Sequence, residues 1–312
     1  MEREFGARSS ADDVLDGVDV EGRHFVVTGA TGGLGAETVR ALAVAGADVI
    51  ATGRDREKGE GVLSRVRSER ADAKLRFVDL ELADLASVRA CAADLRESLD
   101  AIDVLIDNAA VMACPFSHSA DGYELQLATN HFGHFALTLE LLPLLRRGSA
   151  PRVVVVSSGA HWMGAVDLDD LQFEQREYDP WAAYGQSKTA NALFALELQR
   201  RFGAELTAYS LHPGAIPTEL GRNVEAGREV ELPPEVMKTI PQGAATQVWA
   251  ATASELEGFG GRYLEDCAVA EERDLPDTAG TALGVAPHAR DPEVAAALWE
   301  ASVRLIEPSS VG

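Results

Sequence analysis

The fold is decided by the stretch His24-Phe-Val-Val-Thr28-Gly29-Ala-Thr31-Gly-Gly33-Leu34-Gly35. Its apolar start predicts a buried strand, and the glycines that follow predict a tight turn into a helix over 34–45. Amide groups at a helix N-terminus can bind a pyrophosphate. The spacing differs from G-x-G-x-x-G, and such a turn can also be purely structural, but its place between strand and helix favours a nucleotide site. The predicted cofactor contacts here are Gly29, Thr31, Gly33, Leu34 and Gly35.

The same alternation of strand and helix continues along the chain, which predicts an α/β fold. Several strands, such as Val153-Val-Val-Val156, are apolar without alternation, as expected of a parallel sheet buried on both faces. Ligands of such sheets bind beyond the carboxyl ends of the strands. The predicted strands are 24–28, 48–52, 74–78, 104–107, 152–157, 207–211 and a short one at 262–264. The predicted helices are 34–45, 56–69, 85–99, 123–145 and 181–202.

We therefore predict a single-domain Rossmann fold with a doubly wound, mostly parallel sheet of about seven strands. Although the chain has 312 residues, no break in its pattern would divide it into two domains. Residues 1–20 are interpreted as a polar N-terminal lead-in and 21–312 as the domain. Within it, 219–242 is a candidate substrate flap because it lacks periodicity, and Pro292 opens a last helix over 292–306.

The charge balance excludes two classes of partner. Fifty acidic and 28 basic residues leave a formal charge of −22, which repels nucleic acid and anionic membrane surfaces. No apolar run approaches the ~20 residues of a membrane span, and the N-terminus lacks a signal-peptide core. The three cysteines form no C-x-x-C pair, as a reducing compartment permits. We expect a cytoplasmic protein with a small-molecule substrate.

The end of the second predicted strand, Ala51-Thr52-Gly53-Arg54, indicates which nicotinamide nucleotide is preferred. Enzymes that prefer NAD usually carry Asp or Glu there for the ribose 2′-hydroxyl, whereas a basic residue accommodates the 2′-phosphate of NADP. Gly53 stands at the acidic position, and Arg54 follows it. We therefore predict NADP(H) in preference to NAD(H), with Asp55 as the opposing observation. A solvated surface arginine is the alternative.

Polar and small residues also end the next two strands. Asp79-Leu80 could accept a hydrogen bond from the adenine amino group, and the small side chains of Asn108-Ala109-Ala110 would let adenosine lie close to the backbone. Asp and Asn also favour strand ends for local reasons. Their matching placement on successive strands favours cofactor contacts by Asp79, Leu80, Asn108 and Ala109.

The catalytic candidates are Tyr184-Gly-Gln-Ser-Lys188 and the upstream Ser158. Tyr184 and Lys188 are four apart on one helix face, so the ammonium is expected to lower the tyrosine pKa from its usual value of about 10. A carbonyl that accepts hydride needs a proton and a second donor, which Tyr184 and Ser158 would supply. The alternatives are a turn-forming serine and a solvated lysine.

These motifs together resemble the short-chain dehydrogenase/reductase family, in the branch that includes the retinol dehydrogenases and the WW-domain oxidoreductase. The resemblance covers nearly the whole chain. It rests on 28–35, Asp79-Leu80, Asp107-Asn-Ala-Ala110, Asn130-His-Phe-Gly-His-Phe135, Val156-Ser-Ser158, Tyr184-x-x-x-Lys188 and His212-Pro-Gly-x-x-x-Thr218. Asp107 departs from it, since many relatives carry asparagine there, and we expect little consequence.

The resemblance implies a catalytic tetrad of Asn130, Ser158, Tyr184 and Lys188. Lys188 would also bind the nicotinamide ribose, and Asn130 would help to hold a water in a proton relay. The residues that would bracket the nicotinamide are Pro213, Gly214, Ile216 and Thr218. Relatives often pair through the helices at 123–145 and 181–202, which leaves a homodimer or homotetramer open.

Two further groups of residues lie near the predicted site. His161 and Trp162 follow Ser158 and, with Ser158 and Tyr184, are candidates for shaping the substrate pocket. The other candidates are Met163, Tyr178, Trp181 and the segment 221–241. His131 and His134 are three apart on a helix, but no third ligand has suitable spacing, so no metal site is predicted.

The sequence thus predicts an NADP-dependent oxidoreductase that interconverts a carbonyl and an alcohol, with Tyr184 as the general acid and base. Two alternatives remain at this point: a catalytically silent nucleotide-binding regulatory protein, and another reaction on the same scaffold, such as double-bond reduction or epimerisation. Substrate identity is left open.

Overall fold

A computed structural model describes residues 5–224, 232–277 and 283–307. They form one sheet with the strand order β3-β2-β1-β4-β5-β6-β7-β8, parallel except for the last strand. The strands are β1 His24–Val27, β2 Asp48–Gly53, β3 Leu75–Asp79, β4 Val104–Asp107, β5 Arg152–Val156, β6 Thr207–His212, β7 Tyr263–Glu265 and β8 Ala268–Val269. The α/β, mostly parallel fold is confirmed, with eight strands where about seven were predicted. The additional β8 consists of only two residues, Ala268 and Val269, which is too short for a strand pattern in the sequence.

Helices cover both faces of this sheet. The five helices predicted in the first two thirds of the chain are found, one of them with an interruption. The helices are α1 Ala11–Leu15, α2 Gly33–Ala45, α3 Arg56–Glu69, α4 Leu85–Ser98, α5 Leu125–Leu127, α6 Gly133–Leu145, α7 Pro180–Phe202, α8 Ile240–Thr252 and α9 Pro292–Ile306. Short 3₁₀ turns lie at Gly159–Met163, Glu219–Asn223, Pro234–Val236, Ser254–Leu256 and Pro287–Ala289.

The α8 helix was missed in the sequence although its start carries a recognisable signal. Thr239 caps the helix, Pro241 stands in its first turn, and Thr239 and Gln242 form a reciprocal capping box. The predicted flap at 219–242 therefore ends earlier than expected, because its last residues already belong to α8. Of the rest, 225–231 lies outside the described residues.

The helix predicted over 123–145 is interrupted. Residues Ala128–Phe132 form a π-helical turn between α5 and α6, so Asn130 lies in this wider turn and not in a regular helix. A π turn inserts an additional residue into the helical repeat and redirects the side chains on it, and such turns are frequent at functional sites.

The sheet separates two layers of apolar core. Val154 and Val156 face the layer beneath α2 and α8, whereas Val153 and Val155 face the layer beneath α4, α6 and α9. This explains why β5 is apolar without alternation. The first layer also takes in Ala11, Val14 and Leu15 of α1 and then Val20. Part of the predicted lead-in therefore packs on the domain core, while the boundary after residue 20 stays a prediction.

No helix within the described ranges is long and apolar enough to cross a membrane.

Candidate active site

A cleft of about 980 Å³ opens at the carboxyl ends of the strands. This is where ligands of open parallel sheets bind. Most of the predicted cofactor and catalytic residues line it. They are Gly29, Thr31, Gly33, Leu34, Gly35, Arg54, Leu80, Asn108, Ala109, Ser158, Tyr184, Lys188, Pro213, Gly214, Ile216 and Thr218.

The glycine-rich turn provides a close backbone surface for a dinucleotide. Gly29 has a φ of +68°, and a Cβ there would lie 2.7 Å from the Ala109 Cα, so only glycine fits. Thr28 Oγ1 accepts hydrogen bonds from the N–H groups of Asn108 (2.9 Å) and Ala109 (3.0 Å), which joins β1 to β4. Gly32, which precedes α2, offers no side-chain cap to the first amides of this helix. These residues fit a pyrophosphate-containing cofactor.

Two cationic residues that follow β2 in the sequence lie at the cleft. Arg54 and Lys58 both line it, and Arg54 lies 3.4 Å from the Glu81 carboxylate. The Asp55 carboxylate accepts a hydrogen bond from the Lys58 N–H (3.0 Å) and so caps α3. Lys58 was missed in the sequence, although its position in the first turn after the strand end was a usable signal.

Ser158 ends the loop after β5 at the cleft, as predicted. Its Oγ accepts a hydrogen bond from the Ala160 N–H (3.1 Å). The preceding Ser157 is bonded elsewhere, since its hydroxyl donates to the Lys188 carbonyl (2.7 Å) on α7. This arrangement favours Ser158 as the donor towards a ligand.

Tyr184 and Lys188 lie side by side on α7, but their electrostatics differ from the prediction. Burial raises the pKa of Tyr184 to about 12, although its hydrogen bond with Ser158 opposes the rise. Burial lowers the pKa of Lys188 to about 7. The Lys188 Nζ donates to the Val156 carbonyl (3.0 Å) and lies 5.7 Å from the Tyr184 ring centroid. The predicted lowering of the tyrosine pKa is therefore wrong for this arrangement, because burial is the largest influence on the pKa of Tyr184 and raises it.

Asn130 is fully buried behind the cleft and is not part of its lining. Its side chain accepts from the Val111 N–H (2.8 Å) and donates to the Val111 carbonyl (2.9 Å). It also donates to the Ser187 hydroxyl (2.9 Å), which in turn donates to the Tyr184 carbonyl (2.7 Å). Asn130 thus joins the π turn to the backbone of α7 beside the tyrosine.

Three other predicted residues lie away from the cleft. The exposed Asp79 carboxylate pairs with Arg56 at 2.7 Å. His161 is buried; because its Nε2 accepts from the Ala286 N–H (3.1 Å), Nδ1 carries the hydrogen and donates to the Ser158 carbonyl (2.7 Å). Trp162 donates to the Gly284 carbonyl (3.2 Å). His161 and Trp162 therefore hold the loop of the serine in place, and Ala160 and Met163 of the same turn line the cleft instead.

The two histidines of the π turn and α6 have separate partners. His131 Nε2 lies 2.8 Å from the Ser302 hydroxyl, and His134 lies 2.8 Å from the Thr28 hydroxyl and 3.0 Å from the Asn130 carbonyl. Within 5–224, 232–277 and 283–307, no group of three or more His, Cys, Asp or Glu residues is placed to hold a metal ion.

From the sequence, Met163, Trp181 and the segment 219–242 were candidates for the substrate side of the site, whereas Met112 and Leu283 were not, because only folding brings their segments together. Apolar side chains from several segments line the cleft. They are Met112, Met163, Trp181, Leu220, Val224, Leu232, Val236, Met237 and Leu283.

Comparison with known proteins identifies the family of this chain. Residues 23–229 match the family described as short chain dehydrogenase. A protein named probable oxidoreductase from Streptomyces lividans is 43% identical, over 91% of this chain and 97% of its own. Polyprenol dehydrogenase of Mus musculus is also 43% identical, over 91% and 84% of the two chains. Retinol dehydrogenase 12 of Homo sapiens is 38% identical, over 93% and 88%.

Solved structures show the same fold. An uncharacterized protein from Mycobacterium Paratuberculosis is 37% identical, with a TM-score of 0.73 over 94% of this chain and 97% of its own. A short chain dehydrogenase from Shigella flexneri 2a str. 301, complexed with NADP, is 24% identical with a TM-score of 0.62 over 78% and 96%, and shows the fold alone. The resemblance inferred from the sequence is thus confirmed. This chain belongs to the short chain dehydrogenase family, as an oxidoreductase of its retinol dehydrogenase-like branch.

Proposed function

We propose that the protein interconverts a carbonyl compound and an alcohol by hydride transfer with a nicotinamide cofactor, and that it prefers NADP(H). The observation that carries this proposal is the convergence of Ser158, Tyr184 and Lys188 on one cleft that also contains the glycine-rich turn. When bound, the cofactor supplies or accepts the hydride. The chain's own residues bind it, orient the substrate and move the proton.

In the direction of reduction, Tyr184 donates its phenolic proton to the substrate oxygen while hydride reaches the carbonyl carbon. Its raised pKa keeps the phenol protonated at neutral pH, which suits a general acid. Ser158 donates a second hydrogen bond to the same oxygen and stabilises its developing negative charge. Lys188 would bind the ribose hydroxyls beside Tyr184. Oxidation of an alcohol reverses these steps and needs the deprotonated phenol.

The proposed preference for NADP(H) is supported by the charged residues that follow β2. Arg54 and Lys58 offer two cations at the cleft, whereas the Asp55 carboxylate is bonded to the N–H of its own helix. A guanidinium and an ammonium suit a 2′-phosphate. Glu81 offsets part of this charge, because its carboxylate lies beside Arg54.

The activity test follows nicotinamide absorbance with purified protein, NADPH or NADH, and a panel of benzaldehyde, decanal, cyclohexanone and the matching alcohols. We expect turnover on at least one carbonyl, with the alcohol as the product, and a lower KM for NADPH. Nucleotide binding without turnover on any of them would favour a regulatory protein. A tenfold preference for NADH would contradict the cofactor assignment.

The apolar side chains that line the cleft, such as Met112, Trp181 and Leu232, support an apolar small-molecule substrate. Assembly into a homodimer or homotetramer and a place in the cytoplasm stay proposals.

A further inference from the structure

Two adjacent carboxylates at the end of β7 lie outside the tetrad and hold different segments. Glu265 is buried and accepts hydrogen bonds from the N–H groups of Leu283 (2.9 Å) and Gly284 (2.9 Å). Asp266, whose side chain is 14% exposed, forms an ion pair with Lys238. The mechanism derived above gives no task to this pair.

Lys238 connects Asp266 to the loop Pro213–Thr218. The lysine side chain is 1% exposed, and its Nζ also donates to the Pro213 carbonyl (3.3 Å). Its backbone N–H donates to the Ala215 carbonyl (2.8 Å). The lysine is therefore bonded to the loop at Pro213 and at Ala215, and to Asp266 at the end of β7.

The shape of this loop depends on the same side chain. Gly214 has a φ of +105°, a left-handed conformation, and a Cβ at this position would lie 2.6 Å from the Lys238 Cδ. Pro213, Gly214, Ile216 and Thr218 line the cleft, whereas Lys238 and Asp266 are not among the described residues that line it. The pair can therefore act on a ligand through the loop and not by lining the cleft itself.

We propose that the Lys238–Asp266 ion pair is a positioning element that holds the loop Pro213–Thr218 against the nicotinamide half of the dinucleotide. This inference rests on the proposed function. The physical reason is that removing one partner of a buried ion pair leaves an uncompensated charge in the interior. The neighbouring loop then has to shift, or water has to enter, to solvate that charge.

The test measures binding of two ligands by isothermal titration calorimetry. NADPH reaches both halves of the cofactor site, whereas adenosine 2′,5′-bisphosphate reaches the adenine half alone. For K238M, which keeps the aliphatic stem and removes the ammonium, we expect the Kd of NADPH to rise about tenfold. The Kd of adenosine 2′,5′-bisphosphate should stay within about twofold, since the glycine-rich turn and Arg54 do not contact Lys238.

Three further variants complete the experiment. D266N should weaken NADPH binding similarly, and K238M/D266N should be no weaker than the worse single variant, because the two changes remove one interaction. E265Q is the matched control, since it changes the adjacent buried carboxylate, whose hydrogen bonds come from Leu283 and Gly284 and not from Lys238. It should leave the NADPH Kd within about twofold. Thermal unfolding of every variant reports any general loss of structure.

The outcomes separate this inference from the function on which it rests. Equal weakening of both ligands in K238M, or an equal effect of E265Q, would show a general structural role and overturn the inference alone. Unchanged NADPH binding in K238M and D266N would overturn it too. Failure of the unmodified protein to bind NADPH or NADH would overturn the proposed function and this inference together.

Discussion

The two halves of the cleft are built in different ways. The cofactor half comes from the glycine-rich turn and the ends of β2 and β4, and it offers backbone groups and space. The catalytic half offers buried side chains from α7, from the loop after β5 and from segments near the C-terminus. Under the proposed function, the difference teaches that binding of the adenine side of the cofactor and proton transfer use separate parts of the chain. Substitutions in one half should therefore change the cofactor Kd, and those in the other should change kcat.

The largest effect is expected at Tyr184. Y184F removes the phenolic proton, so kcat for carbonyl reduction should fall by roughly 100- to 10,000-fold. The Kd of NADPH should hardly change, because the ring remains. Steady-state kinetics and calorimetry measure the two quantities. Retained turnover would contradict the proposed chemistry and the division between the two halves.

Ser158 should show the next largest effect. S158A removes one donor to the substrate oxygen, and kcat should fall by roughly 100- to 1,000-fold. S157A is the matched control because Ser157 donates to the Lys188 carbonyl instead. An active S158A beside an inactive S157A would reverse the assignment.

The third prediction concerns pH and Lys188. Burial lowers the lysine pKa to about 7, so its positive charge is present below pH 7 and is lost as the pH rises through that value. The Tyr184 phenol stays protonated over the same range. The rate of carbonyl reduction should therefore fall about tenfold between pH 6 and pH 9. K188M should lack this step, and a step at the same pH in K188M would assign it to another group.

An effect of similar size is expected in the cofactor half. R54A and K58A should each raise the KM for NADPH by about tenfold, since each removes a charged donor. The KM for NADH and kcat should change by less than about twofold. R56A is a control, because Arg56 pairs with Asp79 and does not line the cleft. An equal rise in KM for NADPH and NADH would show that neither residue binds the 2′-phosphate.

The smallest effect is expected at Asp107, the last residue of β4, and it concerns stability. This carboxyl is fully buried, Thr138 donates to one of its oxygens (3.1 Å), and the other has no partner among the described atoms. Burial raises the pKa of Asp107 well above its usual range. Because the folded state binds this proton more tightly than the unfolded state, Asp107 makes stability decrease as the pH rises above about 4.

D107N removes the titrating group. It should raise the free energy of unfolding by about 1 kcal/mol at pH 8 and by less at pH 5. Chemical denaturation at both pH values measures this. A gain that does not depend on pH would show that the pKa of Asp107 is not raised in the folded protein, with its carboxyl already ionised at pH 5.

Local chemistry made much of the fold and of the cofactor half predictable. The seven longer strands follow from apolar runs, and α2 follows from the glycine-rich turn. The spacing of Tyr184 and Lys188 placed both on one helix face. Each of these depends on residues within about two helical turns of one another, where periodicity and turn chemistry act.

Other parts of the site depended on contacts between distant segments. Asp79 and Arg54 both end strands, yet only Arg54 lines the cleft, because Arg56 binds the Asp79 carboxylate. His161 follows the catalytic serine, yet its ring is bonded to the backbones of Ser158 and Ala286. A sequence pattern does not specify which partner a side chain finds.

By itself, the sequence determined the class of fold, the glycine-rich turn and the types of the candidate catalytic residues. The tertiary structure decided the burial that shifts the pKa values of Tyr184 and Lys188. It also decided the hydrogen bonds that connect Asn130 to α7, and the contact between Lys238 and the loop Pro213–Thr218. The physical reason is one of range. Strand, helix and turn preferences are local, whereas burial and ion pairing are properties of the surroundings that folding assembles.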